Sequence, residues 1–159
     1  MNSCRVIDLS NNGDFVRMSL IRLLIVDDVE FWRPVYSKLK SDPSFLIVFQ
    51  ASDGLKAVEA AEKVQPTVVL LDIGLPGLNG LEAGGWIRRV APGAKIVFVT
   101  MENDPDVVEA ARQLGAWGYV LKSDADRELV TAIHSVVRGE RYLSRSLAGH
   151  RFLDGPKLV

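Results

Sequence analysis

A chain of 159 residues can bury roughly 68–70% of its unfolded surface around one core, so it needs neither disulfides nor a structural metal to fold. Hydrophobic residues make up 48% and charged residues 25%, and a net charge of −1 excludes a global field that recruits nucleic acid or anionic membrane. The single cysteine, Cys4, excludes an internal disulfide; no apolar run approaches the ~18 residues of a membrane span, and MNSCRVIDLSNNGDF lacks the layout of a secretory signal, so a cytoplasmic protein with no membrane partner is expected.

Residues 1–20 precede the first strong apolar run and read as an N-terminal extension. The run 21–26 (IRLLIV) predicts a strand, and the stripe Trp32, Val35, Tyr36 and Leu39 predicts a helix after it. The same alternation repeats four times. The apolar runs are 45–49, 68–71, 96–99 and 119–121. The stripes that follow them are Ala57/Ala60/Ala61/Val64, Ala83/Trp86/Ile87/Val90, Val107/Ala110/Ala111/Leu114 and Leu129/Ala132/Ile133/Val136. Asn79 with Glu82 and Ser123 with Asp126 predict capping boxes, and Asp104-Pro105 predicts a cap before a proline at the first helical position. Turns are predicted at Asp53-Gly54, Gln65-Pro66 and Pro92-Gly93.

Strict strand–helix alternation with nearly continuous apolar strands predicts a parallel sheet covered by helices on both faces. The expected fold is α/β, a single doubly wound (βα)5 domain over residues 21–143, flavodoxin-like, with five parallel strands in the order 2-1-3-4-5. Residues 144–159 read as a C-terminal tail.

In open parallel sheets ligands bind beyond the carboxyl ends of the strands. The first run ends in Asp27-Asp28, the third in Asp72, the fourth in Thr100 and the fifth in Lys122, whereas the second runs into Gln50-Ala51-Ser52 and is expected at the periphery. Three carboxylates on one rim repel one another unless a cation neutralises them. Oxygen-only ligands suit hard Mg²⁺, which keeps waters and leaves room for a phosphate oxygen. A carboxylate beside such an ion can attack phosphorus, and Thr100 and Lys122 would stabilise the charge on the transferred group.

The blocks IRLLIVDD, VVLLDIGLPGLNG, IVFVT and GYVLK resemble, in order and spacing, the signature of bacterial response-regulator receiver domains over residues 21–143. The strongest likeness is to receivers that, in longer relatives, precede a LuxR-type helix-turn-helix; residues 144–159 are too few for such a domain, so DNA is expected as a partner only through a domain absent from this chain. The resemblance implies that Asp72 is the phosphoacceptor, Asp28 a direct magnesium ligand, Asp27 a ligand through water and Gly74 a backbone-carbonyl ligand. It implies that Thr100 and Lys122 contact the phosphoryl group and that Tyr119 is the switch aromatic that turns inward when Thr100 moves. The implied partners are a histidine kinase or histidine phosphotransfer protein, a downstream protein, and a second copy through helices 4 and 5 or 1 and 5. The protein is then a regulatory phosphoacceptor, not an enzyme beyond self-catalysed phosphotransfer and dephosphorylation. A stand-alone receiver and the receiver part of a longer regulator give the same sequence.

Several residues depart from the pattern or have other readings. Met101 stands where the family usually has a small residue, and its bulk is expected to slow phosphorylation by small donors. A magnesium-dependent aspartyl-phosphate phosphatase is an alternative from another class, but such enzymes commonly carry an acid–base Asp two residues after the nucleophile, where this chain has Gly74. A phosphorylation-independent pseudo-receiver is a third reading, opposed by the complete Asp/Asp/Asp/Thr/Lys set. Gly84-Gly85 reads as close packing rather than a hinge, and the spacing of Gly74, Gly77 and Gly80 is not a dinucleotide fingerprint. His134, His150 and the basic residues Arg138, Arg141, Arg145 and Arg151 read as surface or boundary groups.

Overall fold

The computed structural model describes residues 4–8, 15–27, 29–149 and 152. Strands β1 (Cys4–Asp8) and β2 (Phe15–Ser19) pair antiparallel as a small sheet of their own, from Cys4 opposite Ser19 to Asp8 opposite Phe15. Asp28, His150 and Arg151 lie outside the described residues.

The main sheet is built from β3 (Ile21–Val26), β4 (Phe45–Ala51), β5 (Val68–Leu71), β6 (Lys95–Thr100), β7 (Gly118–Leu121) and β8 (Tyr142–Leu143), in the order β4-β3-β5-β6-β7-β8. Every pairing is parallel. Counting from β3, the first five strands follow the expected order 2-1-3-4-5. The sixth strand corrects the five-strand expectation: β8 has two half-buried residues, too few for a period-two signal to appear in the sequence.

Five helices connect the strands: α1 (Val29–Ser41), α2 (Gly54–Val64), α3 (Gly80–Val90), α4 (Pro105–Leu114) and α5 (Ala125–Val137). Strand alternation sorts the core into two layers. Leu23, Ile25, Val68, Leu70, Val97, Val99 and Val120 pack with Val35 and Leu39 of α1 and Leu129, Ala132, Ile133 and Val136 of α5. Leu24, Val26, Val69, Leu71, Ile96, Phe98 and Tyr119 pack on the other face with Ala57 and Ala61 of α2, Ala83 and Ile87 of α3 and Val108 and Ala111 of α4. Full burial of each large aliphatic side chain contributes about 1.5–3 kcal/mol. Among the described helices none is long and apolar enough to cross a membrane.

Local chemistry sets the helix starts. Asn79 Oδ1 accepts the Glu82 amide at 3.0 Å, and Asn79 Nδ2 donates to Glu82 Oε1 at 3.2 Å, so the expected cap of α3 is made. Asp104 Oδ1 accepts the Asp106 amide at 2.8 Å ahead of Pro105. Asp53, expected only in a turn, caps α2 by accepting the Lys56 amide at 2.8 Å. The box expected at Ser123 is not made: the cap residue of α5 is Asp124, in helical conformation and without a side-chain cap bond, because a turn from Leu121 to Asp124 leads directly into the helix. A Cβ on Gly84 would come within 2.9 Å of Leu114 Cδ2 and 3.3 Å of Phe98 Cζ, which is the close packing expected of that glycine.

Candidate functional site

Register brings the polar strand ends together. Val26 lies opposite Leu71, Leu71 opposite Phe98, and Thr100 opposite Leu121, so Asp27 and Asp72 after β3 and β5, Thr100 at the end of β6 and Lys122 after β7 share one edge. Two further backbone bonds extend this ladder past the strands: the Asp72 amide donates to Val26 O at 3.1 Å, and the Lys122 amide donates to Thr100 O at 2.8 Å.

Asp27 and Asp72 are 6% and 7% exposed, so two carboxylates sit largely out of water in the same place. Lys122 neutralises them jointly. Its Nζ lies 2.9 Å from Oδ2 of Asp72 and 2.9 Å from Oδ2 of Asp27. Burial pushes the Asp72 carboxyl up, but the hydrogen bond and charge of Lys122, helped by the Thr100 hydroxyl, outweigh it and hold the group below its ordinary value. For Lys122, burial favours the neutral amine, and the two carboxylates outweigh that and keep it charged. At neutral pH the centre therefore contains an ionised nucleophile candidate beside a cation.

These groups line an open cleft of about 770 Å³ with Ser52, Gly74, Pro76, Thr100, Met101 and Glu102. Thr100 is 2% exposed, and its Oγ1 accepts the Glu102 amide at 3.2 Å, which leaves the hydroxyl proton for another acceptor. The Gly74 amide reaches Asp72 Oδ1 at 3.3 Å, and the space where a Gly74 side chain would stand is open. Met101 is 82% exposed at the rim. Tyr119 is fully buried below the cleft, and its hydroxyl donates to Glu102 O at 2.7 Å. Its proton is held more tightly than in an ordinary phenol by burial and by the nearby charges of Glu102, Asp72 and Asp104.

Asp27, Asp72, Gly74, Thr100 and Lys122 thus line one cleft, with Tyr119 linked to it through Glu102. Among the described residues no set of three His, Cys, Asp or Glu side chains gathers to hold a metal. The third expected carboxylate, Asp28, is outside them. The donor chemistry still fits a hard cation: two buried carboxylates share one ammonium, every donor is oxygen, and the cleft is open at Gly74.

Sequence reasoning missed Gly80 and Ser52. A Cβ on Gly80 would overlap the Asp72 carbonyl oxygen, so α3 can begin against the phosphoacceptor candidate only with glycine there. No spacing signal distinguishes Gly80 from its neighbours, although its place after a helix cap is visible. Ser52 lines the cleft from the end of the peripheral strand, where no charged residue marks it in the sequence.

Residues 23–134 match the family described as the response regulator receiver domain. The response regulator GacA of Pseudomonas viridiflava is 36% identical over 130 residues, covering 81% of this chain and 61% of that protein. The nitrate/nitrite response regulator protein NarL of Escherichia coli K12 is 35% identical over 126 residues, covering 79% of this chain and 58% of that protein. The chain therefore spans about three fifths of the length of these relatives. A crystal structure of a LuxR-family two-component response regulator from Aurantimonas sp. SI85-9A1 superposes with a TM-score of 0.75 at 34% identity, covering 83% of this chain and 95% of that one. A LuxR-family DNA-binding response regulator from Staphylococcus aureus gives a TM-score of 0.66 at 35% identity, covering 74% and 99%.

Proposed function

This chain belongs to the response regulator receiver domain family of two-component systems, and on that premise we propose that it is a phosphorylation-dependent switch whose phosphoacceptor is Asp72. The observation that carries the reading is the Lys122 ammonium placed between the buried carboxylates of Asp27 and Asp72, in a cleft that also holds the Thr100 hydroxyl.

In the proposed step a carboxylate oxygen of Asp72 attacks the phosphorus of a phosphohistidine on a histidine kinase or histidine phosphotransfer protein. The new P–O bond forms as the P–N bond breaks, and the imidazole leaves as a neutral ring, its proton supplied by solvent. Lys122 and the Thr100 hydroxyl would meet the charge on the phosphoryl oxygens. Asp27, Asp72 and the Gly74 carbonyl, together with Asp28, are the groups that would hold Mg²⁺. When bound, Mg²⁺ supplies charge neutralisation and orientation of the phosphoryl oxygens. Hydrolysis of the acyl phosphate resets the switch, so the protein acts as a regulator with self-catalysed chemistry. It is read as a cytoplasmic protein that passes its state to a downstream protein or a second copy of itself, and to DNA only through a further domain.

An acyl phosphate donor with Mg²⁺ tests this reading directly by intact-mass analysis. Wild type is expected to gain one phosphoryl group, and Asp72→Asn none. Equal gain in both, or none in wild type at saturating donor, overturns it.

A further inference from the structure

Beyond β7 the chain returns along the open edge of the sheet. β8 pairs parallel with β7, setting Gly118 opposite Tyr142 and Tyr119 opposite Leu143. Ser144, 1% exposed, continues the contact after the strand ends: its amide donates to Tyr119 O at 2.9 Å, and its Oγ accepts the Leu121 amide at 2.8 Å. Glu128 of α5, 8% exposed, fastens the same segment by accepting the Tyr142 hydroxyl at 2.7 Å and the Arg145 amide at 3.1 Å. Leu147 and Phe152 are 4% and 1% exposed and belong to the core layer that contains Tyr119. The Phe152 ring meets Tyr119 edge-on, with centroids 6.1 Å apart, while Phe98 lies 6.2 Å from the same ring.

A continuous route therefore joins the cleft to this segment. Thr100 Oγ1 accepts the Glu102 amide, Glu102 O accepts the Tyr119 hydroxyl, and the Tyr119 ring contacts Phe152. We propose that residues 142–149, together with Phe152, are a strap whose docking on Tyr119 and the occupation of the phosphoryl site strengthen each other. A phosphoryl oxygen accepts a hydrogen bond from the Thr100 hydroxyl while a lone pair of Oγ1 still holds the Glu102 amide. This fixes the loop that carries the Tyr119 acceptor, and with it the ring on which Phe152 rests. Linkage makes the effect reciprocal: loosening the strap must weaken binding at the cleft by the same factor.

The inference rests on the phosphoacceptor reading, and the test separates the two. Beryllofluoride with Mg²⁺, a phosphoryl mimic, is titrated into wild type, Phe152→Ala and Phe152→Leu, with amide exchange followed at Leu121 and Ser144. In wild type, binding is expected to slow exchange at both amides. Phe152→Ala is expected to bind the mimic about fivefold or more weakly, in the usual range of coupling between sites. Near-UV circular dichroism confirms that this variant is folded; if it is not, Phe152→Leu, which keeps apolar volume but loses the ring edge, is the variant read, with a smaller loss in the same direction. A folded variant that binds as tightly as wild type, with exchange at Ser144 unmoved by the mimic, overturns the strap while leaving the phosphoacceptor reading intact. Failure of wild type itself to bind overturns both.

Discussion

Lys122 Nζ lies 2.9 Å from Asp72 Oδ2, within direct ion-pair distance of the carboxylate proposed to attack phosphorus. The ammonium neutralises the cleft, but it also competes with any second cation for the same two carboxylates. Lys122→Ala is therefore expected to bind Mg²⁺ more tightly than wild type, by about fivefold or on the order of 1 kcal/mol, while losing the response to a phosphoryl mimic. Calorimetric titration of Mg²⁺ checks the first half and amide shifts at Thr100 the second. Weaker Mg²⁺ binding in the variant contradicts the competition.

Gly80 and Gly74 both stand near Asp72, one against its backbone and one beside its carboxylate, but face opposite demands. A Cβ on Gly80 would overlap the backbone of Asp72 and Ile73, whereas Gly74 has open space. Gly80→Ala is expected to cost about 1–3 kcal/mol of stability by forcing the backbone apart. Gly74→Ala is expected to cost less than about 0.5 kcal/mol. Urea denaturation of the two variants gives the comparison, and equal losses would contradict it.

Asp42 offers a pH dependence away from the cleft. Its Oδ1 accepts the Ser44 amide at 2.8 Å, and Oδ2 lies 3.6 Å from His134 Nε2. Burial alone raises the carboxyl, but the Ser44 hydrogen bonds and His134 outweigh it and hold the group below the ordinary 3.8. A folded value below the unfolded one means that the unfolded chain binds the proton more readily, so this contribution is present above pH 3.8 and is lost as pH falls through the folded value. Asp42→Ala is expected to cost about 1 kcal/mol at neutral pH, and its deficit to close in acid. Urea midpoints measured across that range would show a constant deficit if the carboxylate were not responsible.

Met101 is 82% exposed and lines the rim of the cleft that holds Asp72, and a shielding role for its thioether is open to test. Met101→Ala is expected to accelerate phosphorylation by a small acyl phosphate and leave stability within about 0.5 kcal/mol of wild type. Single-turnover labelling measures the rate. Faster labelling of wild type than of the variant contradicts a shielding role.

The parts of the fold legible in the sequence are those with a long or fully buried signal. Val68 to Leu71 is buried on both faces, so its continuous apolar run could be read only as an interior strand or a short buried helix, and the alternation around it decided between them. Asp27, Asp72, Thr100 and Lys122 were legible because each directly follows such a run. Asp53 and Asp124 were misjudged or missed because turn and cap chemistry use the same residue types, and only the backbone angles separate them. β8 and Phe152 were not legible at all: two strand residues and one isolated aromatic carry no period, and their burial comes from the edge of β7 and from Tyr119, which are distant in sequence.

Asp72 as the residue that carries the phosphoryl group is open to a direct chemical test. Wild type treated with an acyl phosphate and Mg²⁺, then reduced with borohydride, converts an aspartyl phosphate to homoserine, which peptide mapping locates. Homoserine at position 72 alone, formed only when the divalent cation is present, is the expected result. Homoserine at another aspartate, or formation at position 72 that is indifferent to Mg²⁺ and to Lys122→Ala, would contradict it.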